Sequence, residues 1–189
     1  MLLEVEQEEI IFQICRAMID EPVYLEKHNP FWKECFVREQ ARLKETLHID
    51  TSSIQHIGST AIDDIYAKPI IDIMIGIETF PASQYLVDKL IYLGYDALGE
   101  SGVKNRLYFR YRRLQLFNIH VVQKDGQHWN SNLAFRDYLR AYPKEAKRYE
   151  DVKIKAVQSG ASSLLKYSAA KSIIIEELLS LGLAWRATK

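Results

Sequence analysis

Pro69-Ile70-Ile71-Asp72-Ile73-Met74-Ile75-Gly76-Ile77 is the stretch on which the fold turns. It is almost continuously apolar and β-branched, the pattern of a strand covered on both faces inside an α/β sheet. One charge interrupts it, Asp72. An ionised carboxylate buried without a partner is so costly that the group neutralises, pairs or binds a metal instead. A structural carboxylate, hydrogen-bonded to backbone or paired with an arginine, and a functional one explain Asp72 equally well on these grounds.

Just upstream, Ser53–Ile57 reads as a short strand that stops at Gly58-Ser59-Thr60, where glycine lets backbone approach a ligand. The turn's N–H groups and two hydroxyls could receive a phosphate, although an ordinary turn with a helix cap explains an isolated Gly-Ser-Thr more simply. Downstream lies a hairpin. Period two puts Leu107, Phe109 and Tyr111 on one face of its first arm and Phe117, Ile119 and Val121 on one face of its second, as core. The opposite faces carry Arg106, Tyr108, Arg110 and Arg112, then Asn118 and His120, so matching them requires an odd-length connection near residue 114. Guanidinium forks there could clamp a polyphosphate, or simply face solvent. His56 and His120 are candidate proton carriers or metal ligands, though lone strand histidines are more often satisfied by hydrogen bonds. Lys68, before Pro69, and Lys171, one turn after Tyr167, are further candidate phosphate contacts whose simpler reading is solvated surface. Asp63-Asp64 reads more simply as a turn than as a divalent-ion site.

Helices fill the rest. Ile10, Ile11, Ile14 and Met18 recur at helical spacing and Pro22 ends that element, so residues 1–26 form an accessory N-terminal helix ahead of a single domain, 27–189. Asn29-Pro30 opens a helix to about His48 with Trp32, Phe36, Leu43 and Leu47 on one stripe. Pro81 opens another to about Leu93, Tyr95–Leu98 reads as a short strand, and helices over about 131–142, 144–158 and 163–182 complete the chain. Trp32, Trp129 and Phe135 read as packing rather than stacking platforms.

The 189 residues are 48% apolar and 26% charged, which suits one globular domain and excludes disorder and coiled coil. Lys plus Arg equals Asp plus Glu at 25 each, so a bulk nucleic-acid or membrane-surface binder is disfavoured and phosphate recognition must be local. Charge is nevertheless uneven: residues 1–26 hold seven acids against Arg16, whereas 103–113 hold five bases and no acid. Cys15 and Cys35 lack scaffold numbers or CxxC spacing and read as reduced, buried thiols. An acidic start and the lack of any ~20-residue apolar run lead to the expectation of a soluble, cytoplasmic protein with no membrane partner.

The order of these segments resembles the GrpB-like family, a branch of the nucleotidyltransferase superfamily, over roughly residues 28–180. The resemblance rests on Asn29-Pro30-x-Trp32 with Phe36 and Glu39, His56 through Ala61, Lys68 through Ile73, and Arg106 through Arg110. It continues in Ile119-His120-Val121, in Leu133-Ala134-Phe135-Arg136-Asp137-Tyr138-Leu139-Arg140, and in Tyr167 with Lys171. It implies an α/β (α+β), nucleotidyltransferase-like mixed sheet flanked by helices, with extra N- and C-terminal helices. It also implies that Gly58, Ser59 and Thr60 hold nucleotide phosphates, that Asp72 offers an oxygen to Mg²⁺, and that Arg106 and Arg110, with Lys68 and Lys171, hold a phosphate tail. The implied chemistry is nucleotidyl transfer from a nucleoside triphosphate or related phosphate ligand to an acceptor hydroxyl. Two positions depart from the wider superfamily. Residue 74 shares a face with Asp72, so the usual Asp-x-Asp is Asp-x-Met, and a thioether is a poor Mg²⁺ ligand. His120 stands where a third acid is expected and would serve as base. The alternative from another class is a non-catalytic nucleotide-binding module that contacts a protein partner, for instance through the acidic N-terminal helix; a purely structural interaction domain is the third.

Overall fold

The computed structural model describes residues 20–189. A five-stranded mixed sheet forms the middle, built from β1 (Ile54–Ile57), β2 (Ile71–Ile77), β3 (Asp96–Ala97), β4 (Arg106–Arg112) and β5 (Leu116–Gln123). Its order is β1-β2-β5-β4-β3, with β2 and β5 parallel and every other neighbouring pair antiparallel. Six helices surround it among the described residues: α1 (Phe31–Leu47), α2 (Gln84–Tyr92), α3 (Gln127–Ala141), α4 (Pro143–Gln158), α5 (Leu164–Ala170) and α6 (Ser172–Ala187). The expected α/β architecture is therefore the observed one. None of these helices is long and apolar enough to cross a membrane.

Strand alternation assigns the two faces. Ile71, Ile73 and Ile75 of β2 point with Phe109, Phe117, Ile119 and Val121 into the main core, which α1 and α2 cover. Trp32, Phe36, Leu43 and Leu47 of α1 are buried there as one stripe, and the Asn29 side chain accepts the Phe31 N–H at 3.0 Å at its start. The hairpin register pairs Arg112 with Leu116 across a three-residue connection centred on residue 114, as alternation requires. On the other face Met74 and Val122 lie beneath Trp129 and Leu133 of α3. Trp129 comes so close to β2 that a Cβ on Gly76 would stand 2.6 Å from its ring.

Three element readings need correcting. The helix expected from about residue 131 starts at Gln127, because Asp125 (φ 58°) and the extended Gly126 turn the chain early and bring Trp129 over Gly76. The helix expected over 163–182 is two helices broken at Lys171: Tyr167 of α5 packs with Val23 and Ala156, whereas Ile174 and Leu178 of α6 pack with Leu139 of α3, and one straight rod would not serve both. The helix opened by Pro81 begins at Gln84, capped by the Ser83 hydroxyl, which accepts the Leu86 N–H. Most of the expected helix over 1–26 lies outside the described residues. Its last part, from Asp20, runs extended, with bridges from Pro22 to Ser163 and from Glu26 to Ala67.

Candidate functional site

β1 and β2 pair antiparallel with Ile57 opposite Asp72, so the chain leaving β1 must turn directly above the Asp72 carboxylate. Gly58 makes that turn at φ 70°, ψ −172°, and a Cβ there would lie 2.4 Å from Asp72 Oδ2. Only glycine fits, for conformation and for space. β5 then sets Asn118 opposite Asp72, and its amide donates to Asp72 Oδ1 at 2.6 Å. The Asn118 carbonyl accepts from Tyr108 Oη at 2.8 Å and from Arg112 Nη2 at 2.7 Å, which fixes the amide so that its NH₂ must face the acid. Arg112 is held in turn by both oxygens of Glu21, at 2.9 and 3.0 Å. The acidic and basic stretches noted in the sequence meet at this pair.

A cleft of about 640 Å³ opens beside Asp72. Gly58, Ser59 and Thr60 form one wall; Lys68 and His120 flank the carboxylate; Arg106 and Lys171 enter from β4 and from the α5–α6 break. Among its lining residues three cations, Lys68, Arg106 and Lys171, stand against one carboxylate. Arg106 donates through Nη2 to the carbonyls of Glu100 and Ser101, at 3.0 and 3.3 Å, while its buried Nε finds no partner among the described residues. Tyr167 lies under Lys171, whose ammonium sits 4.9 Å from the ring centre. Ser59 Oγ reaches Tyr149 Oη at 3.4 Å.

Burial acts to raise the Asp72 pKa, but the hydrogen bonds and charges of His120, Lys68 and Asn118 outweigh it and hold the acid at about 2. His120 Nε2 lies 3.5 Å from Asp72 Oδ1, and burial pushes the imidazole down despite that neighbour. Near neutral pH the pair is therefore carboxylate and neutral imidazole, with Nε2–H toward Asp72 and the lone pair on Nδ1. Burial also lowers the Lys68 ammonium, against the pull of Asp72.

Two expected participants sit elsewhere. Arg110 is not among the lining residues and lies 3.8 Å from Glu21. His56 belongs to the opposite side of the sheet, stacked on Phe36 at 4.7 Å between ring centres, with Nε2 3.0 Å from Thr60 Oγ1. Thr60 borders the cleft, but its hydroxyl is engaged by that histidine. Met74 does share the Asp72 face, yet it is fully buried under Trp129 and presents nothing to the cleft. Asp63 and Asp64 form an exposed turn. Among the described residues no group of three His, Cys, Asp or Glu side chains is placed to hold a metal ion. Asn118 and Tyr149 are site residues beyond those the sequence indicates. Asn118 carried a signal, a polar side chain on the same face as His120; Tyr149, inside an amphipathic helix, carried none.

A family model described as GrpB protein matches residues 22–180. The chain belongs to the GrpB family. The glutamate-rich protein GrpB of Alkalihalophilus pseudofirmus is 32% identical over 84% of this chain and 94% of its own. The UPF0157 protein YqkA of Bacillus subtilis is 34% identical over 76% of this chain but only 42% of YqkA. The crystal structure of the conserved protein GrpB from Enterococcus faecalis superposes with a TM-score of 0.78 at 31% identity, covering 86% of this chain and 99% of that one. The GrpB match includes every residue placed above in the cleft.

Proposed function

We propose that the Asp72 cleft binds a nucleotide or related phosphate ligand. The observation that carries this reading is the charge arrangement: Lys68, Arg106 and Lys171, from three separate segments, line one cleft with a single carboxylate, and the Arg106 Nε–H is buried without an acceptor among the described residues. In a chain of zero net charge, such a local excess of cations, with an unpaired donor, calls for an anion. Phosphate oxygens would take these three cations, with the Gly58-Ser59 backbone alongside. The remaining volume accommodates the rest of a nucleotide, against Tyr108, Tyr149 and Tyr167. Arg110, outside the lining, has no part in it.

Nucleotidyl transfer is the further reach of the same reading, with His120 accepting the proton of an acceptor hydroxyl at Nδ1. Mg²⁺, the cation that such chemistry would use to stabilise charge on the phosphates, prefers six oxygens. The residues present offer it one carboxylate, since Met74 is core, so they do not by themselves build a resident metal site, and phosphates and waters would have to complete its shell. The same observation favours the second reading, a non-catalytic nucleotide-binding module.

Equilibrium binding of labelled nucleoside triphosphates and of pyrophosphate, with Mg²⁺ or Mn²⁺, tests both. Saturable binding that weakens at least tenfold in Lys171→Ala and Arg106→Ala is expected. Pyrophosphate release in the presence of acceptors, abolished in Asp72→Asn, would establish transfer; binding without release would establish the module. No binding across the panel, or binding that both substitutions leave untouched, overturns the reading.

A further inference from the structure

Behind the Gly58–Ala61 turn lies a second cavity, of about 510 Å³, that shares only Thr60 with the Asp72 cleft. It is walled by α1, β1 and α3, and its charged lining is Lys33, Arg136 and Arg140 against Asp63. Arg136 and Arg140 are the two arginines of the Leu133–Arg140 segment, and the Asp72 cleft uses neither. They stand one turn apart on α3, with side chains on the same face.

The two are held differently. Arg136 is spent internally: Nε on Asp137 Oδ1 at 2.8 Å, and Nη1 on Gln55 Oε1 and the His56 carbonyl, each at 3.0 Å. Arg140 makes one hydrogen bond among the described residues, from Nε to the Ala61 carbonyl at 2.7 Å, so its two terminal nitrogens are positioned but unused. A ring nitrogen of the same cavity is also unmatched: His28 Nδ1 is buried with no partner among the described residues, while Nε2 lies 3.7 Å from Asp63. The Asp63 side chain is 84% exposed, so it offsets little of the positive charge inside.

We propose that this second cavity binds a phosphate group, free or as a monoester, taken by the Arg140 fork together with Lys33, beside the buried His28 ring. Two unused guanidinium nitrogens on an anchored side chain suit bidentate contact with a tetrahedral oxyanion. A dianion also matches a cavity whose unpaired cations outnumber its one exposed acid. The volume exceeds that of phosphate alone and leaves room for the organic part of an ester.

The test follows the His28 imidazole by NMR at fixed pH while inorganic phosphate or methyl phosphate is added to the full chain. A saturable shift at unchanged ligand concentration is expected in the wild type and in Lys171→Ala, which weakens the other cleft. It should need at least tenfold more ligand in Arg140→Gln and in Lys33→Gln; the exposed Lys33 serves if Arg140→Gln fails to fold. Saturation by inorganic phosphate alone, or by methyl phosphate alone, supports the site and identifies the source of the group. The inference fails if neither phosphate gives a saturable His28 shift, or if the shift is unchanged in Lys33→Gln and in any folded Arg140→Gln. Loss of the Asp72-cleft reading would leave it standing.

Discussion

Gly58→Ala puts a number on the contact that builds the cleft. The backbone there, φ 70° and ψ −172°, lies in a region that is essentially glycine's alone, and placing alanine in it costs about 1–3 kcal/mol. The new methyl would stand 2.4 Å from Asp72 Oδ2, so the carboxylate must rotate away. Rotation breaks the 2.6 Å bond from Asn118, and Asn118 cannot follow because Tyr108 and Arg112 hold its carbonyl. Losing a hydrogen bond to a charged group costs about 1.5–3 kcal/mol. Together these give a destabilisation of about 3–5 kcal/mol, or a fall in Tm of roughly 10 °C for a chain of this length. Urea unfolding of the single variants and of Gly58→Ala/Asp72→Ala separates the parts. With the carboxylate gone the backbone cost remains, together with a 3.0 Å approach to the residue 72 Cβ, so the cycle should show a coupling of about 1.5–3 kcal/mol from the carboxylate and its hydrogen bond. A Gly58→Ala variant within about 0.5 kcal/mol of wild type, or one equally costly in both backgrounds, would refute the argument.

Burial drives the His56 pKa down to about 4, with Asp72 opposing and Arg140, Arg136 and His28 adding to the fall. Below its unfolded value near 6.5 the unfolded chain takes the proton first, so stability is full above pH 6.5 and declines toward pH 4, by on the order of 2–3 kcal/mol. Urea midpoints across that window should fall in the wild type and stay flatter in His56→Gln. Asp72, held at about 2 against a usual 3.8, contributes stability above pH 4 that is lost as pH drops through 2. The gap in stability between wild type and Asp72→Asn should close by roughly 2 kcal/mol over that range. Met74→Asp, which restores the carboxylate pattern at a fully buried site under Trp129, should destabilise by about 3–5 kcal/mol and confer no Mg²⁺ binding by calorimetry. Gly182→Ala should cost about 1–3 kcal/mol by thermal melting, since its Cβ would meet the Ala134 carbonyl at 2.8 Å where α6 crosses α3.

Alternation made much of this structure legible. Parity along β2, β4 and β5 sorted the core residues from Asp72, Asn118 and His120, and the odd-length hairpin followed from the same parity. What parity leaves open is how far along a face its covering helix extends, because that depends on contacts between distant segments. Asp72 and Met74 are on one face, two residues apart, yet one lines a cleft and the other is core. The difference is Trp129, drawn over Gly76 by a helix that starts four residues earlier than its apolar pattern indicates. Arg106 and Arg110 likewise share a face, and Glu21, far away in the chain, accounts for the one that does not line the cleft. The break at Lys171 belongs to the same class: nothing local ends the helix there, but α5 and α6 answer to different neighbours, and the kink is what delivers the lysine to the cleft. Polar residues on a strand face thus mark which side of a sheet carries chemistry. Only the packing of the elements laid across it decides which of those residues a ligand can touch.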